Sequence, residues 1–234
     1  MNQPTRDNQD PASPTTAAPA RRGRVNRRTL IVGGAAAAGI ATGAYAGSRG
    51  PTITFPEATY GAGGPRILVA YDSQYGSTAE IAAGVAQQLS SDAQVDLRPL
   101  ASVGDLAPYS AMVLGAPVQT DVMKESATTW LSERAAELDR LPHAWFMPSA
   151  SFGIDPDRER QLREKQGVME DAAALTGTNP FALLPTGGLV DFSRMSFLAS
   201  IVYQIASRTT VQGDFREPKV VAQWTDQITA GLLG

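Results

Sequence analysis

The residues best suited to chemistry lie in the run Tyr71-Asp72-Ser73-Gln74-Tyr75-Gly76-Ser77-Thr78-Ala79-Glu80. Ser73, Ser77 and Thr78 supply hydroxyls, and Gly76 lacks the Cβ that would hold a ligand off the backbone. Where such a run joins a strand to a helix, its N–H groups and hydroxyls converge at the positive end of the helix and can hold a phosphate dianion. A Walker loop would need a Gly-Lys-Ser/Thr ending, which this run lacks. A turn that merely caps a helix also favours Ser and Thr, but capping alone does not require the whole run after a buried strand.

Other chemistries are narrowed by what the chain does not contain. It has no cysteine, which excludes disulfides, thiolate zinc sites, iron–sulfur clusters and a cysteine nucleophile. Its one histidine, His143, excludes multi-histidine metal sites. Because His143 follows Pro142 at the start of an apolar run, it reads as structural. Glu125, Glu133, Arg134, Glu137 and the charges over 158–165 read as solvated helix faces. No nucleophile–base constellation stands out, so redox chemistry would need an organic cofactor.

The elements that must position the run follow from periodicity. Ile67-Leu68-Val69-Ala70-Tyr71 is a short apolar run of buried-strand type. Ile81, Ala82, Val85, Ala86 and Leu89 recur at helical spacing and predict a helix over 78–89. Further strands are predicted at Val95 and Leu97, at Ala111-Met112-Val113-Leu114-Gly115, at Ala144-Trp145-Phe146-Met147 and from Ala182-Leu183-Leu184. Helices are predicted from about Lys124, with Trp130, Leu131 and Leu138 on the apolar face, and over 157–175. Five strands alternating with helices imply an α/β fold: a doubly wound, five-stranded parallel sheet with helices on both faces. In such sheets, ligands bind beyond the strand C-termini, where the strand order reverses. Two more loops should meet there: Gly115-Ala116-Pro117-Val118-Gln119-Thr120-Asp121, and Pro148-Ser149-Ala150-Ser151-Phe152-Gly153.

The strand–Ser-Gln-Tyr-Gly-Ser-Thr–helix pattern resembles the FMN phosphate loop of the flavodoxin family, over roughly residue 66 to the C-terminus. The resemblance implies that Ser73, Gln74, Tyr75, Gly76, Ser77 and Thr78 hold the phosphate of one FMN. It further implies that Ala116, Pro117, Val118 and Gln119, with Ser149, Ala150, Ser151, Phe152 and Gly153, surround the isoalloxazine ring. Phe152 reads equally well as a core aromatic. Small electron-carrying flavodoxins usually sandwich the ring between aromatic side chains. Pro117, Val118 and Gln119 offer none, which leaves one ring face open to an organic substrate.

A second resemblance lies near the C-terminus. Gly187-Gly188-Leu189-Val190-Asp191-Phe192-Ser193-Arg194, a following apolar helix over 195–206, and Val221-Ala222-Gln223-Trp224-Thr225-Asp226 resemble the tail of menaquinone-dependent protoporphyrinogen oxidases. Those proteins are flavodoxin-fold, FMN-dependent and membrane-associated. In the helix, Phe197, Leu198, Ile201, Val202 and Ile205 recur at helical spacing and read as a core face.

Residues 1–20 are rich in Pro, Thr, Asn, Gln and Ala and read as disordered. Arg21-Arg22-Gly23-Arg24-Val25-Asn26-Arg27-Arg28-Thr29-Leu30-Ile31-Val32 and the Ala/Gly-rich run that follows to Ala46 have the form of an export signal. The Asn26-Arg27-Arg28-Thr29-Leu30-Ile31 core resembles the twin-arginine consensus, which implies transport of a folded protein by the twin-arginine machinery. Ala44-Tyr45-Ala46 is a small-residue cleavage pattern, and residues 30–47 approach the ~20 positions of a membrane span, so both a cleaved signal and a retained anchor are open. Residues 47–65 read as a linker and 66–234 as the FMN-binding domain. The formal net charge is −3; setting aside residues 1–46, with six arginines, Asp7 and Asp10, leaves a body charge of −7. An acidic body argues against nucleic acid as the main partner.

Together these readings describe an exported FMN oxidoreductase on the periplasmic or cell-envelope side, released by cleavage or held by a retained membrane anchor, acting on a quinone or similar substrate. Export separates it from cytoplasmic haem synthesis, which makes protoporphyrinogen a poor physiological substrate. The alternatives are an electron carrier to a redox protein and a non-catalytic binding module of the same fold.

Overall fold

The computed structural model describes residues 53–234 except Thr120, Ile154 and Arg208. The expectations for residues 1–46 lie outside the described residues. Strands β1 (Ala58–Tyr60), β2 (Arg66–Tyr71), β3 (Gln94–Pro99), β4 (Ala111–Gly115), β7 (His143–Ser149) and β8 (Ala182–Gly187) form one sheet in the order β1-β3-β2-β4-β7-β8. From β3 to β8 all neighbours are parallel. The chain leaves β2 for β3 on one side and returns to β4 on the other, so the order reverses at the C-terminal ends of β2 and β4.

β2 has a continuous apolar sequence because both of its faces are covered. Ile67, Val69 and Tyr71 pack beneath helices α1 (Ser77–Leu89) and α6 (Pro218–Leu233) with Val85, Leu89, Trp224 and Ile228. Leu68 and Ala70 face the other way, toward Trp130 and Leu131 of α2 (Glu125–Glu133), Leu138 of α3 (Ala135–Leu138) and Met169 of α4 (Arg158–Thr176). The alternation of a strand thus divides its side chains between two separate cores.

Three features correct the sequence reading. Residues 47–65 are not wholly linker: β1 pairs antiparallel with β3 as a sixth, edge strand. It is held through Asp96, which is fully buried on β3 and accepts hydrogen bonds from Thr59 (2.6 Å), Arg66 (2.6 Å) and Tyr109 (3.0 Å). Second, Lys165 does not belong to a solvated face; its side chain is buried and its ammonium pairs with Asp121. Third, the apolar stripe of α5 (Phe197–Ser207) is not a core face, because Phe197, Leu198, Ile201 and Ile205 are all exposed.

Candidate functional site

The phosphate-type loop leaves β2 and turns into α1 through Gly76, which sits in the left-handed region at φ 89° and is the N-cap. Among the described residues, no side chain caps this helix end. Ser73 Oγ instead accepts the Gly76 N–H within the loop (3.1 Å). Ser77 Oγ accepts the N–H of Leu189, 112 residues further along the chain (2.8 Å). Both hydroxyls act as acceptors in these bonds, which leaves their protons available to donate to an anion. Thr78 is buried in the first turn. The donors therefore cluster around an uncapped helix N-terminus.

The second loop folds as a small hairpin in which β5 (Val118–Gln119) pairs with β6 (Val122–Met123). Ala116 is buried at its base and Val118 packs on the adjacent core. Asp121 takes a left-handed φ of 59° at the turn and is fixed there by buried Lys165. Gln119 Nε2 donates to Gln74 Oε1 (2.5 Å), and Gln74 Nε2 donates to the Tyr75 hydroxyl (3.3 Å), tying this loop to the first.

The third loop begins at Ser149 and runs through a 3-10 turn, Ala150–Gly153. The Ser149 and Ser151 hydroxyls are hydrogen-bonded to each other (2.8 Å). Phe152 is only half-buried and lies 5.6 Å beneath the Arg158 guanidinium, outside both core clusters. Its reading as a core aromatic is therefore set aside.

All three loops gather at the C-terminal end of the sheet, and Gly188 joins the first to the third. Its N–H donates to the Ser149 carbonyl (3.2 Å). A Cβ placed on Gly188 would stand 3.5 Å from Ser77 Oγ and 3.6 Å from Pro148 Cβ. The absence of a side chain there keeps space open between the two loops.

Several residues at this end had no individual role in the sequence reading. Glu80, in the first turn of α1, is gripped by Arg194 Nη1 (2.6 Å) and also pairs with Arg216. Burial alone would raise the Glu80 pKa, but the two guanidinium hydrogen bonds and charges outweigh it and hold the carboxyl below its ordinary value. Arg194 also donates to the Tyr75 carbonyl (3.4 Å). Asp72 pairs with Lys124 (2.5 Å) and accepts from the Ser126 hydroxyl, fixing the start of α2. These contacts span between 52 and 136 residues of sequence, so no local motif announces them.

An open cleft of about 680 Å³ lies on the β3 flank of Asp72 and Ser73, walled by Phe55, Tyr71, Leu100 and Trp130. None of residues 116–119 or 149–153 lines it, so the cleft touches the first loop but not the second or third. His143 is at the opposite, N-terminal end of β7, buried, with Nδ1 on the Leu141 carbonyl (2.8 Å). Among the described residues, no group of three or more His, Cys, Asp or Glu side chains is placed to hold a metal ion.

No curated protein matches the chain. Among solved structures, it is similar to a mutant flavodoxin from Pseudomonas aeruginosa, at 14% identity and a TM-score of 0.46, over 72% of this chain and 99% of that one. It is also similar to flavodoxin 1 from Bacillus cereus, at 13% identity and a TM-score of 0.40, over 61% and 95% of the two chains. A third similar structure is a flavoprotein from Lactobacillus acidophilus in complex with FMN, at 15% identity and a TM-score of 0.39, over 52% and 93%. Residues 68–214, more than half of the chain, match the family model described as a flavodoxin domain, and the chain belongs to that family.

Proposed function

We propose that this protein is an FMN-dependent oxidoreductase, exported by the twin-arginine route, that exchanges electrons or hydride with a quinone or a similar organic substrate. The observation that carries the cofactor assignment is the donor set at the start of α1. It comprises an uncapped helix N-terminus, left-handed Gly76, and hydroxyls of Ser73 and Ser77 whose own bonds leave them free to donate. These residues fit a phosphate monoester without a basic side chain among them. Gly188, which carries no side chain, lies beside Ser77 and Pro148 where the first and third loops meet.

When bound, FMN supplies the redox chemistry. The chain's residues bind and orient it. Gln74 and Gln119 lock the first loop to the second, and Asp121 with Lys165 holds the hairpin against α4. Pro117, Val118 and Gln119 bring no aromatic ring to the second loop, which supports an open flavin face for a docked quinone. The resemblance of residues 187–194, the apolar helix that follows and residues 221–226 to the tail of menaquinone-dependent protoporphyrinogen oxidases supports the same acceptor class. An electron-carrier function is the second reading, favoured by the body charge of −7, which suits a basic protein partner.

Fluorescence titration tests the cofactor assignment. FMN binds at about one per chain and more tightly than riboflavin, because riboflavin forgoes several charge-assisted bonds of ~1.5–3 kcal/mol each. Ser73→Ala and Thr78→Ala each weaken FMN. Equal affinity for FMN and riboflavin removes the loop assignment.

A further inference from the structure

Helix α5 reverses the usual arrangement of a surface helix. Its exposed stripe consists of Phe197 (79% exposed), Leu198 (49%), Ile201 (37%) and Ile205 (73%), with no charged side chain anywhere over Phe197–Ser207. Phe197, Ile201 and Ile205 are spaced four apart, so they fall on one line along the helix. An exposed apolar face of this kind marks a contact surface.

The ends of this excursion are anchored. Arg194 precedes it and Arg216 follows it, and both bind Glu80 in the first turn of α1. Those anchors keep the base of the α5 segment at the phosphate-loop end of the sheet. The chain also enters the described domain there: a Cβ on Gly76 would lie 3.0 Å from Arg194 Nη1 and 3.7 Å from Ile53 Cγ2.

We infer that α5 lies on a lipid bilayer surface, with its Phe197–Ile205 stripe inserted among the acyl chains. With 11 residues the helix is only ~16 Å long, about half of the ~30 Å hydrocarbon core, so it rests in the interface rather than crossing. Two observations select lipid over a protein partner. The stripe offers no polar group that would register a specific partner. And only six residues, 47–52, separate Ile53 from the apolar run ending at Ala46, a reach of about 20 Å. If that run meets the membrane, the tether holds α5 within reach of the same surface.

The inference does not depend on flavin binding, and its test does not use the flavin. Because the full chain has no cysteine, single cysteines can report position by position. Ile205→Cys and Ile201→Cys, each labelled with a polarity-sensitive fluorophore, report on the stripe; Leu175→Cys, on exposed Leu175 of α4, is the control. With phosphatidylcholine vesicles, the expected result is a blue shift and a several-fold loss of iodide quenching at 201 and 205, insensitive to salt, with no change at 175. Adding Ile201→Glu to labelled Ile205→Cys abolishes the shift. No lipid response at 201 and 205, or an equal response at 175, overturns the inference. So does a blue shift without lipid: if it grows with protein concentration the stripe covers a second copy, and if it is independent of concentration another part of the chain covers it.

Discussion

His143 is the chain's only histidine and is buried, with Nε2 lacking a hydrogen-bond partner among the described residues. Burial holds its pKa below the ordinary value, against smaller raising effects from the Leu141 and Leu138 carbonyls and Asp139. The unfolded chain therefore takes up this proton at a higher pH than the folded chain does. Stability is full above about pH 6.5 and is lost as the pH falls from there toward the folded pKa. Asp96 and Glu80, whose carboxyls are held below their ordinary values, contribute acid sensitivity only below about pH 5, as the unfolded carboxyls take up protons. A fall in Tm between pH 7 and 5 is thus expected to come from His143, and His143→Leu should flatten it. A melting series followed by circular dichroism decides this, and an unchanged slope in the variant removes His143 as the cause. The structural role of His143 was legible from its place after Pro142. The partnership of Lys165 was not, because its partner Asp121 is 44 residues away and nothing local distinguishes Lys165 from its solvated neighbours.

At the scale of elements, the apolar pattern located every parallel strand to within a few residues: β2, β4, β7 and β8 contain apolar runs, and β3 shows the alternation of Val95 and Leu97 around Asp96. It missed β1, which has three residues in a Gly- and Pro-rich stretch, too short to establish a period. What makes it a strand is its pairing with β3 and the bond from Thr59 to Asp96. Burial raises the Asp96 pKa, but the bonds from Thr59, Arg66 and Tyr109 and the Arg98 charge more than compensate, so the network stabilises the fold at neutral pH. Asp96→Ala should cost about 2–3 kcal/mol, less than the ~3–5 expected for a fully buried ion pair, because Arg66 and Arg98 both reach solvent. Urea denaturation measures the loss, and faster amide exchange over 58–60 locates it at the edge strand. A loss below about 0.5 kcal/mol, the level of an ordinary surface change, contradicts this account. The α5 stripe shows the complementary limit. Its spacing revealed an apolar face, but spacing carries no information about what lies against that face.

For the whole molecule, the proposal joins a signal, an acidic body and an open-faced site. Changing Arg27 and Arg28 to lysine keeps the charge but removes the guanidinium pair, and should block export if a twin-arginine receptor reads it. Cell fractionation showing unchanged export would remove that assignment. The two redox readings differ in how the reduced, FMN-loaded protein hands on its electrons. A quinone is apolar and uncharged, so its approach to an uncovered ring gains little from charge, and its rate depends on orientation within the site. A small basic cytochrome would instead be drawn by the body charge of −7, and salt would slow that encounter. Stopped-flow reoxidation of the photoreduced protein separates these physical signatures. With a menaquinone analogue, the expected result is fast, saturable oxidation that changes little between low and physiological ionic strength, where the screening length falls to about 8 Å. Slow quinone turnover, alongside rapid and strongly salt-dependent transfer to a basic cytochrome, would move the protein into the electron-carrier class.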